Sequence, residues 1–247
     1  MKLSFIMSGV RVENWMKVYK SISNATTIKD YELVIVSPYD LPRKVKRHSN
    51  VILIKDKGSP TRCHQLALLK MRGEYVVWVG EDGVFCPTMA IDKAIASIPE
   101  NKGVVALPFL EGNRVGMKNP SWWRMDYHKM FANIPSIPNH YLITMMGLMR
   151  RDYLMDIGGW DCRFEHSGLS HVDLAIRLQN DGANVVLGEQ LMELDMLKGN
   201  DGDHGPIAEA HRIDKGLFKQ IYSIEGRESR VNINNWEASP SEWRRFK

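Results

Sequence analysis

The sequence predicts an α/β fold, in which helices flank a mostly parallel central sheet. Short apolar segments with the composition of buried strands alternate with longer segments in which apolar residues recur at helical spacing. Alternation of this kind is typical of parallel strands that are connected by helices. With 247 residues, the chain is long enough for one such domain with a single hydrophobic core.

The strands are expected wherever a short apolar segment is bounded by polar or turn residues. These segments are residues 3–7, 32–36, 51–54, 75–79, 103–107, 141–144 and 183–187. The segment at 75–79 is the clearest, because β-favouring residues run without interruption between Gly73 and Gly80. It reads as a strand that is buried on both faces.

The helices are expected where apolar residues share one helical face. Residues 12–23, 62–71 and 89–98 have this pattern. In the second of these helices, Cys63, Leu66, Ala67 and Met71 form the apolar face, and Gly73 follows as the stop signal.

Composition and charge narrow the classes of protein only slightly. Apolar residues make up 44% of the chain and charged residues 25%, as in ordinary globular proteins. The net charge of +4 is compatible with anionic substrates or membrane surfaces. Because no basic stripe or RNA-binding motif accompanies it, we expect no nucleic-acid partner.

Cysteine usage and the distribution of apolar residues bear on localisation. The three cysteines, Cys63, Cys86 and Cys162, are widely spaced, which favours a reducing compartment and no disulfide framework. The first apolar run is too short for a signal peptide, and no segment is apolar enough to span a bilayer. We therefore expect a cytoplasmic protein, at most peripherally bound to a membrane.

Two adjacent carboxylates, Glu81 and Asp82, follow the strand at 75–79. Ligands of open α/β sheets bind at the carboxyl ends of the strands, where such carboxylates can hold a divalent cation and, through it, a diphosphate. The competing interpretation is an acidic turn after a core strand.

Residues 58–83 resemble the centre of a glycosyltransferase family 2 domain, which has the Rossmann-like GT-A fold. The resemblance lies in a helix followed by Arg-Gly-Glu-Tyr at residues 72–75, the apolar strand and its acidic end. Gly80-Glu81-Asp82 stands where the family usually has Asp-x-Asp. The resemblance implies that Asp82 is a metal ligand and that Glu81 assists in binding the substrate.

The same resemblance implies that loops after the first two strands contact the nucleoside of a sugar donor. The matching positions are Ser8, Gly9 and Arg11 after the first strand and Ser37 after the second. Arg62, at the start of the second helix, is a further candidate for substrate binding. Ordinary turn structure is the alternative for each loop residue.

A second stretch, residues 147–187, carries the family's glycine-glycine-aromatic-aspartate pattern at Gly158, Gly159 and Trp160, which are candidates for substrate binding. In the family an acidic pair follows and opens a helix, and its second member is the usual general base. Ser170-His171 occupies that place here, and a histidine is a suitable base near neutral pH. Asp173 would orient His171 or act instead, and the alternative is a helix-capping box from Ser170 to Asp173.

Two further segments carry candidate residues. Residues 111–141 are rich in aromatic side chains and proline, so we interpret Trp122 and Trp123 as part of an acceptor site or lid, with core packing as the alternative. His204 lies in a glycine-rich acidic loop, where metal-dependent relatives often have a second ligand. Imidazole and carboxylate together suit Mn²⁺ better than Mg²⁺.

The expected protein is a glycosyltransferase that moves a sugar from a nucleotide diphosphate sugar to a hydroxyl of a glycan or other acceptor, dependent on a metal and inverting. Residues 1–225 would form the domain, with a nucleotide-sugar half at 1–110 and an acceptor half at 111–225. Residues 226–247 would form a polar tail that contacts a membrane, closes over the donor or is frayed.

The sequence is also compatible with other classes of protein. A non-catalytic module that binds nucleotide sugars or carbohydrates would explain both altered motifs. A sugar-nucleotide pyrophosphorylase shares the fold, but it normally has a glycine-rich basic loop after the first strand, which this chain lacks.

Overall fold

The computed structural model describes residues 1–85, 88–107, 109–111, 143–188, 192–194, 204–222, 228–236 and 242–246. In chain order the elements are β1 (Leu3–Ser8), α1 (Trp15–Ala25), β2 (Tyr31–Ser37), α2 (Arg43–Lys46), β3 (Val51–Lys55), α3 (Pro60–Lys70), β4 (Tyr75–Trp78), β5 (Gly83–Phe85), α4 (Ala90–Ala96), β6 (Gly103–Ala106), β7 (Phe109–Glu111), β8 (Gly147–Arg150), α5 (Arg151–Asp156), α6 (Ser167–Asn180), β9 (Asn184–Leu187), β10 (Met192–Leu194) and α7 (His204–Tyr222).

Within the described residues, the larger of two sheets has seven strands in the order β3-β2-β1-β4-β8-β6-β9. Its neighbouring strands are parallel except at β8, which runs antiparallel to both β4 and β6. The chain builds outward from β1 to β3 and then returns to the other side of β1 with β4. The order of the strands therefore reverses between β1 and β4, and ligands of open α/β sheets bind at such a switch point.

The inner strands of this sheet, β2, β1, β4, β8 and β6, are buried on both faces, which explains why they read as continuous apolar runs. Alternate residues of a strand point to opposite faces, so Phe5 and Met7 of β1 pack with α1 and α4, whereas Ile6 packs with α3, α5 and α6. All seven residues of β2 are buried. The three-stranded sheet, in the order β5-β10-β7, continues from the end of β4.

Most predicted strands and helices are present within a few residues of their expected bounds. The segment expected as a helix from residue 12 opens with a 3-10 turn at Val12–Asn14 before α1. The strand expected at 141–144 is wrong at residues 143 and 144, and residues 141 and 142 lie outside the described range. The strand is β8 instead, because residues 147–150 pair with β4 on one side and β6 on the other.

The described part of the C-terminal segment packs against the domain. The Trp243 backbone N–H donates to the Lys57 carbonyl oxygen (2.8 Å), and the Arg244 guanidinium donates to both carboxylate oxygens of Glu165 (2.8 and 2.9 Å). The Trp243 side chain is buried and is therefore not exposed to contact a membrane. This part of the chain is attached to the domain rather than frayed.

None of the described helices combines the length and the apolar character that are needed to cross a bilayer.

A glycine-glycine turn joins α5 to the segment before α6. Gly158 and Gly159 have φ angles of +90° and +72°, a region that favours glycine. Gln65 of α3 donates through Nε2 to the Gly158 carbonyl oxygen (2.9 Å) and accepts at Oε1 from the Trp160 N–H (2.8 Å). Arg177 of α6 donates to the Gly159 carbonyl oxygen (2.7 Å). The turn is therefore held from two helices.

We predict that Gly159→Ala destabilises the protein more than Gly182→Ala does. Both glycines have positive φ, so each alanine costs about 1–2 kcal/mol in backbone strain. A Cβ at Gly159 would lie 2.2 Å from Gln65 Oε1, whereas nothing lies within 4 Å of one at Gly182. Overpacking adds roughly 1–3 kcal/mol at Gly159 alone. Denaturant unfolding measures both variants, and equal losses would contradict this account.

Candidate active site

The loop after β1 and the end of β4 meet at the switch point of the sheet. Glu81 is buried there, and its Oε2 accepts hydrogen bonds from the backbone N–H groups of Val10 (2.5 Å) and Arg11 (2.7 Å). Burial raises the pKa of Glu81 to about 7, although these hydrogen bonds and the nearby Arg11 favour the charged form. Glu81 thus fastens the β1 loop to the β4 end.

The Arg11 side chain lies beside both carboxylates. Its Nη1 is 3.6 Å from Glu81 Oε1 and 3.8 Å from Asp82 Oδ2. Both distances exceed those of a hydrogen bond, so these contacts are charge pairs. The edge at this point therefore carries one guanidinium and two carboxylates within a few ångströms.

Two carboxylates, those of Glu81 and Asp82, are the described part of the expected metal site. Within the described residues, no three or more His, Cys, Asp or Glu side chains come close enough together to hold a metal ion. Glu81 anchors a loop, and Asp82 is paired with Arg11. The other expected ligand, His204, begins α7, but its side chain lies outside the described part of the structure. Manganese binding by Asp82 and His204 stays a prediction.

The remaining candidates near β1 and β2 shape the two loops. The Gly9 N–H donates to the Val36 carbonyl oxygen (3.0 Å), and a Cβ at Gly9 would lie 2.8 Å from the Trp15 indole nitrogen. Ser8 is half-buried at the end of β1. Ser37 is fully buried, and its Oγ accepts from the Tyr39 N–H (3.1 Å). The structure places these residues at the carboxyl ends of β1 and β2.

Arg62 brings a second guanidinium to the same edge of the sheet. It lies in the first turn of α3, where its N–H donates to the capping hydroxyl of Ser59 (3.3 Å). Its guanidinium donates from Nε and Nη2 to Asp56, the residue after β3, and lies 5.6 Å from the ring centre of Trp236. Ser59 thus holds the backbone of Arg62, and Asp56 holds its guanidinium group.

His171 is buried in the second turn of α6, and its surroundings define its tautomer. Its Nδ1 is 2.5 Å from the Ser167 carbonyl oxygen, which can only accept, so Nδ1 carries the proton. Burial lowers the pKa of His171 to about 4, so the ring is neutral at pH 7. The other nitrogen, Nε2, is then a bare hydrogen-bond acceptor. It is buried and has no partner among the described residues.

Asp173 has both carboxylate oxygens engaged. Oδ2 accepts from Arg177 Nε (2.9 Å), and Oδ1 accepts from the Tyr222 hydroxyl of α7 (2.7 Å). Asp173 is fully buried, and none of the described contacts joins its carboxylate to His171. This geometry makes Asp173 a structural link between α6, α7 and the glycine-glycine turn.

His171 belongs to a cluster of four rings, which we call the ring box. Its members are His64 of α3, Trp78 at the end of β4, Trp160 and His171. The ring centres of His64 and His171 are 5.5 Å apart, those of His64 and Trp160 5.1 Å, and those of Trp78 and His171 6.3 Å. Through Trp78, the last residue of β4, the ring box reaches the end of the strand that Glu81 and Asp82 follow.

His64 was missed by the sequence reasoning. The sequence gives little indication that His64 is buried. Polar residues such as His64 and Gln65 between the apolar positions of α3 are also typical of the solvent-exposed face of a helix. Both side chains are in fact buried. Trp122 and Trp123, by contrast, lie outside the described residues.

No family model matches this chain, and no curated protein matches it significantly. Solved structures do match. The crystal structure of S. aureus TarS 1–349 aligns with 91% of this chain at 15% identity and a TM-score of 0.59. Its complex with UDP-GlcNAc aligns with 91% at 16% identity and a TM-score of 0.58. GalNAc-T7 with UDP, GalNAc and Mn²⁺ aligns with 79% at 10% identity and a TM-score of 0.57.

These matches confirm the expected GT-A glycosyltransferase fold. The chain spans 67% and 68% of the two TarS chains and 44% of the GalNAc-T7 chain. At this level of identity the likeness establishes the fold alone.

We predict that Glu81→Ala destabilises the protein by about 1–3 kcal/mol, because it leaves the N–H groups of Val10 and Arg11 without their acceptor. Glu81→Gln keeps an acceptor oxygen in place, so it should retain most of the stability below pH 7, where the wild-type carboxyl is largely protonated. Urea unfolding at pH 6 compares the two variants. Equal losses would show that the hydrogen bonds to the loop contribute little.

Proposed function

We propose that this protein is a glycosyltransferase that uses a nucleotide diphosphate sugar as donor and a hydroxyl group as acceptor. One observation carries the proposal: the switch point between β1 and β4 brings Arg11 and Asp82 to the same sheet edge as the ring box with His171. The fold is shared with TarS, whose structures include complexes with UDP and UDP-GlcNAc, and with GalNAc-T7 in complex with UDP, GalNAc and Mn²⁺. This likeness supports the choice of donor class.

The donor diphosphate would lie across the switch point. Arg11 and Arg62 are the described guanidinium groups at this edge, and guanidinium binds phosphate oxygens in a fixed, often bidentate geometry. An arriving phosphate would compete with Asp82 for Arg11 and with Asp56 for Arg62. Ser8, Gly9 and Ser37 would border the nucleoside as parts of the β1 and β2 loops.

In the proposed reaction an acceptor oxygen forms a bond to the anomeric carbon of the donor sugar. The bond from that carbon to the diphosphate oxygen breaks, and its electron pair leaves with the nucleoside diphosphate. His171 Nε2 takes the proton of the acceptor hydroxyl. A single displacement of this kind inverts the anomeric configuration.

His171 is suited to this role by its protonation state. Because burial lowers its pKa to about 4, the basic form is fully populated at neutral pH. A weak base is adequate when the proton moves late, since the hydroxyl becomes acidic as its oxygen bonds to carbon. Asp173 acts here as a positioning residue, through Arg177 and the glycine-glycine turn.

A second candidate is a binding module without catalytic activity. It is favoured by the use of Glu81 as a loop anchor and by the absence of a side chain at Gly80, where the family has a carboxylate. Release of nucleoside diphosphate from a bound donor would reject this candidate.

We predict that a nucleoside diphosphate or its sugar stabilises the protein in a thermal-shift screen of UDP, GDP and dTDP compounds. A ligand at 100 times its Kd adds about 2.7 kcal/mol, which corresponds to roughly 5–10 °C for a chain of this size. The screen is run with and without Mn²⁺, because Asp82 and His204 are the predicted ligands. Arg11→Gln should reduce the shift. Arg47→Gln is the matched control, because exposed Arg47 lies before β3, at the opposite edge.

Stabilisation by no nucleotide in either buffer would reject the proposed donor site. A shift that Arg11→Gln leaves unchanged would remove Arg11 from that site.

We predict that the turnover at saturating donor keeps its value from pH 7 down to pH 5, because His171 takes up a proton only near pH 4. His171→Gln should lower turnover by about 10²–10⁴-fold. Release of nucleoside diphosphate is measured across pH for the wild type and the variant. An acid limb near pH 6.5 would contradict the buried, neutral state of the base.

A further inference from the structure

We propose that His64, Trp160 and His171 form a binding site for a single hydroxyl group, and that this group is the reacting hydroxyl of the acceptor. The inference rests on the proposed function and extends it to His64, which no sequence motif assigns, and to a specific role for the Trp160 indole. Trp160 and His64 would position the hydroxyl, and His171 would take its proton.

The first support is a concentration of buried polar atoms without partners. Six buried side-chain nitrogen or oxygen atoms lack a hydrogen-bond partner within the described residues, and three of them are His64 Nδ1, Trp160 Nε1 and His171 Nε2. Such atoms are rare in native proteins, because each one left unpaired is destabilising. Their rings lie 5.1–6.2 Å apart, centre to centre. Half of the unpartnered atoms thus fall in one small cluster.

A fourth unpartnered atom borders the cluster. Thr144 Oγ1 is buried and without a partner in the described part of the chain. Its side chain lies next to Trp78, since a Cβ at Gly147 would be 2.5 Å from both Thr144 Cγ2 and Trp78 Cζ2. Thr144 is therefore a fourth residue with an unpartnered polar atom beside the ring box.

The chemistry of the two defined atoms selects the ligand. The Trp160 indole Nε1–H can only donate a hydrogen bond, and His171 Nε2, in the tautomer set by Ser167, can only accept one. A carboxylate or phosphate oxygen cannot donate to His171, and an ammonium group cannot accept from Trp160. A hydroxyl group or a water molecule does both. The neutral His64 ring can then complete the set from its Nδ1.

This arrangement also explains how the hydroxyl would be oriented. Before reaction, its proton points to His171 Nε2, and its two lone pairs accept from the Trp160 Nε1–H and the His64 Nδ1–H. The His64 hydrogen bond is given up when that lone pair bonds to the sugar carbon. The pKa of His64 is lowered to about 3 by burial and by His171, so His64 stays neutral when His171 becomes charged. The rings of His64 and His171 are therefore not both positively charged during the reaction.

A consequence is that water fits the same site. In the absence of an acceptor, the enzyme should transfer the sugar to water at a slow rate, with release of nucleoside diphosphate. This hydrolysis gives an assay that needs no knowledge of the acceptor.

The test compares His64→Phe with His64→Asn. Phenylalanine keeps a ring but removes Nδ1, whereas asparagine places a polar atom near the Nδ1 position. We expect His64→Phe to reduce hydrolysis of UDP-GlcNAc or UDP-GalNAc at least tenfold, while the melting temperature stays equal or rises by about 2–4 °C. His64→Asn should recover much of the rate. Trp160→Phe should show the same loss of rate, with some loss of packing.

His48→Phe is the matched control, because His48 stacks on Tyr19 at 4.1 Å, away from the ring box. It should leave the rate within about twofold of the wild type. The thermal shift produced by UDP should be unchanged in His64→Phe, because the variant leaves the donor edge intact.

Three outcomes would overturn the inference. They are an unchanged hydrolysis rate in His64→Phe, a fall in melting temperature that parallels the loss of rate in both His64 variants, and wild-type protein that binds the donor without hydrolysing it. The second would assign the cluster to a buried water with a structural role. Failure of every nucleotide to bind would instead reject the proposed function itself.

Discussion

The buried ion pair between Arg177 and Asp173 is the interaction on which the candidate site depends. Its members are 3% and 0% exposed, and each has additional partners, so neither charge is left uncompensated. Losing one partner of such a pair typically costs about 3–5 kcal/mol. Through Gly159 and Tyr222, the pair holds α6 against the turn that carries Trp160 and against α7. The position of His171 relative to Trp160 follows from this arrangement.

The two ends of the site use their polar groups in different ways. At the end of β4, charges are paired with one another, and Glu81 serves the backbone of a loop. In the ring box, several neutral polar atoms have no partner within the described residues. At the end of β4, an arriving anion can replace a carboxylate as the partner of a guanidinium group. In the ring box, the unpartnered neutral atoms can bind an uncharged hydroxyl group. The contrast agrees with the charged donor and the uncharged acceptor of the proposed reaction.

The sequence predicted those strands and helices in which apolar residues follow a regular pattern. The strands from β1 to β4 and helices α1 and α3 were predictable, because burial on both faces imposes continuous apolar strands and helical spacing imposes the inner faces. The strand expected at 141–144 is wrong at residues 143 and 144, because a short apolar segment does not by itself specify strand pairing. Pairing with two neighbours, which placed β8 at 147–150, depends on strands distant in the chain.

By itself, the sequence determined the α/β class, the carboxylates after β4 and the replacement of an acidic pair by Ser170-His171. Only the tertiary structure decided which of these groups are available for chemistry. Glu81 and Asp173 look like reactive acids in the sequence, yet both are committed to backbone or arginine partners. His64 looks like a surface residue, yet it contacts His171 from another helix. The reason is physical: residue type sets what a side chain can do, while burial and partners from distant segments set its charge, its tautomer and its access.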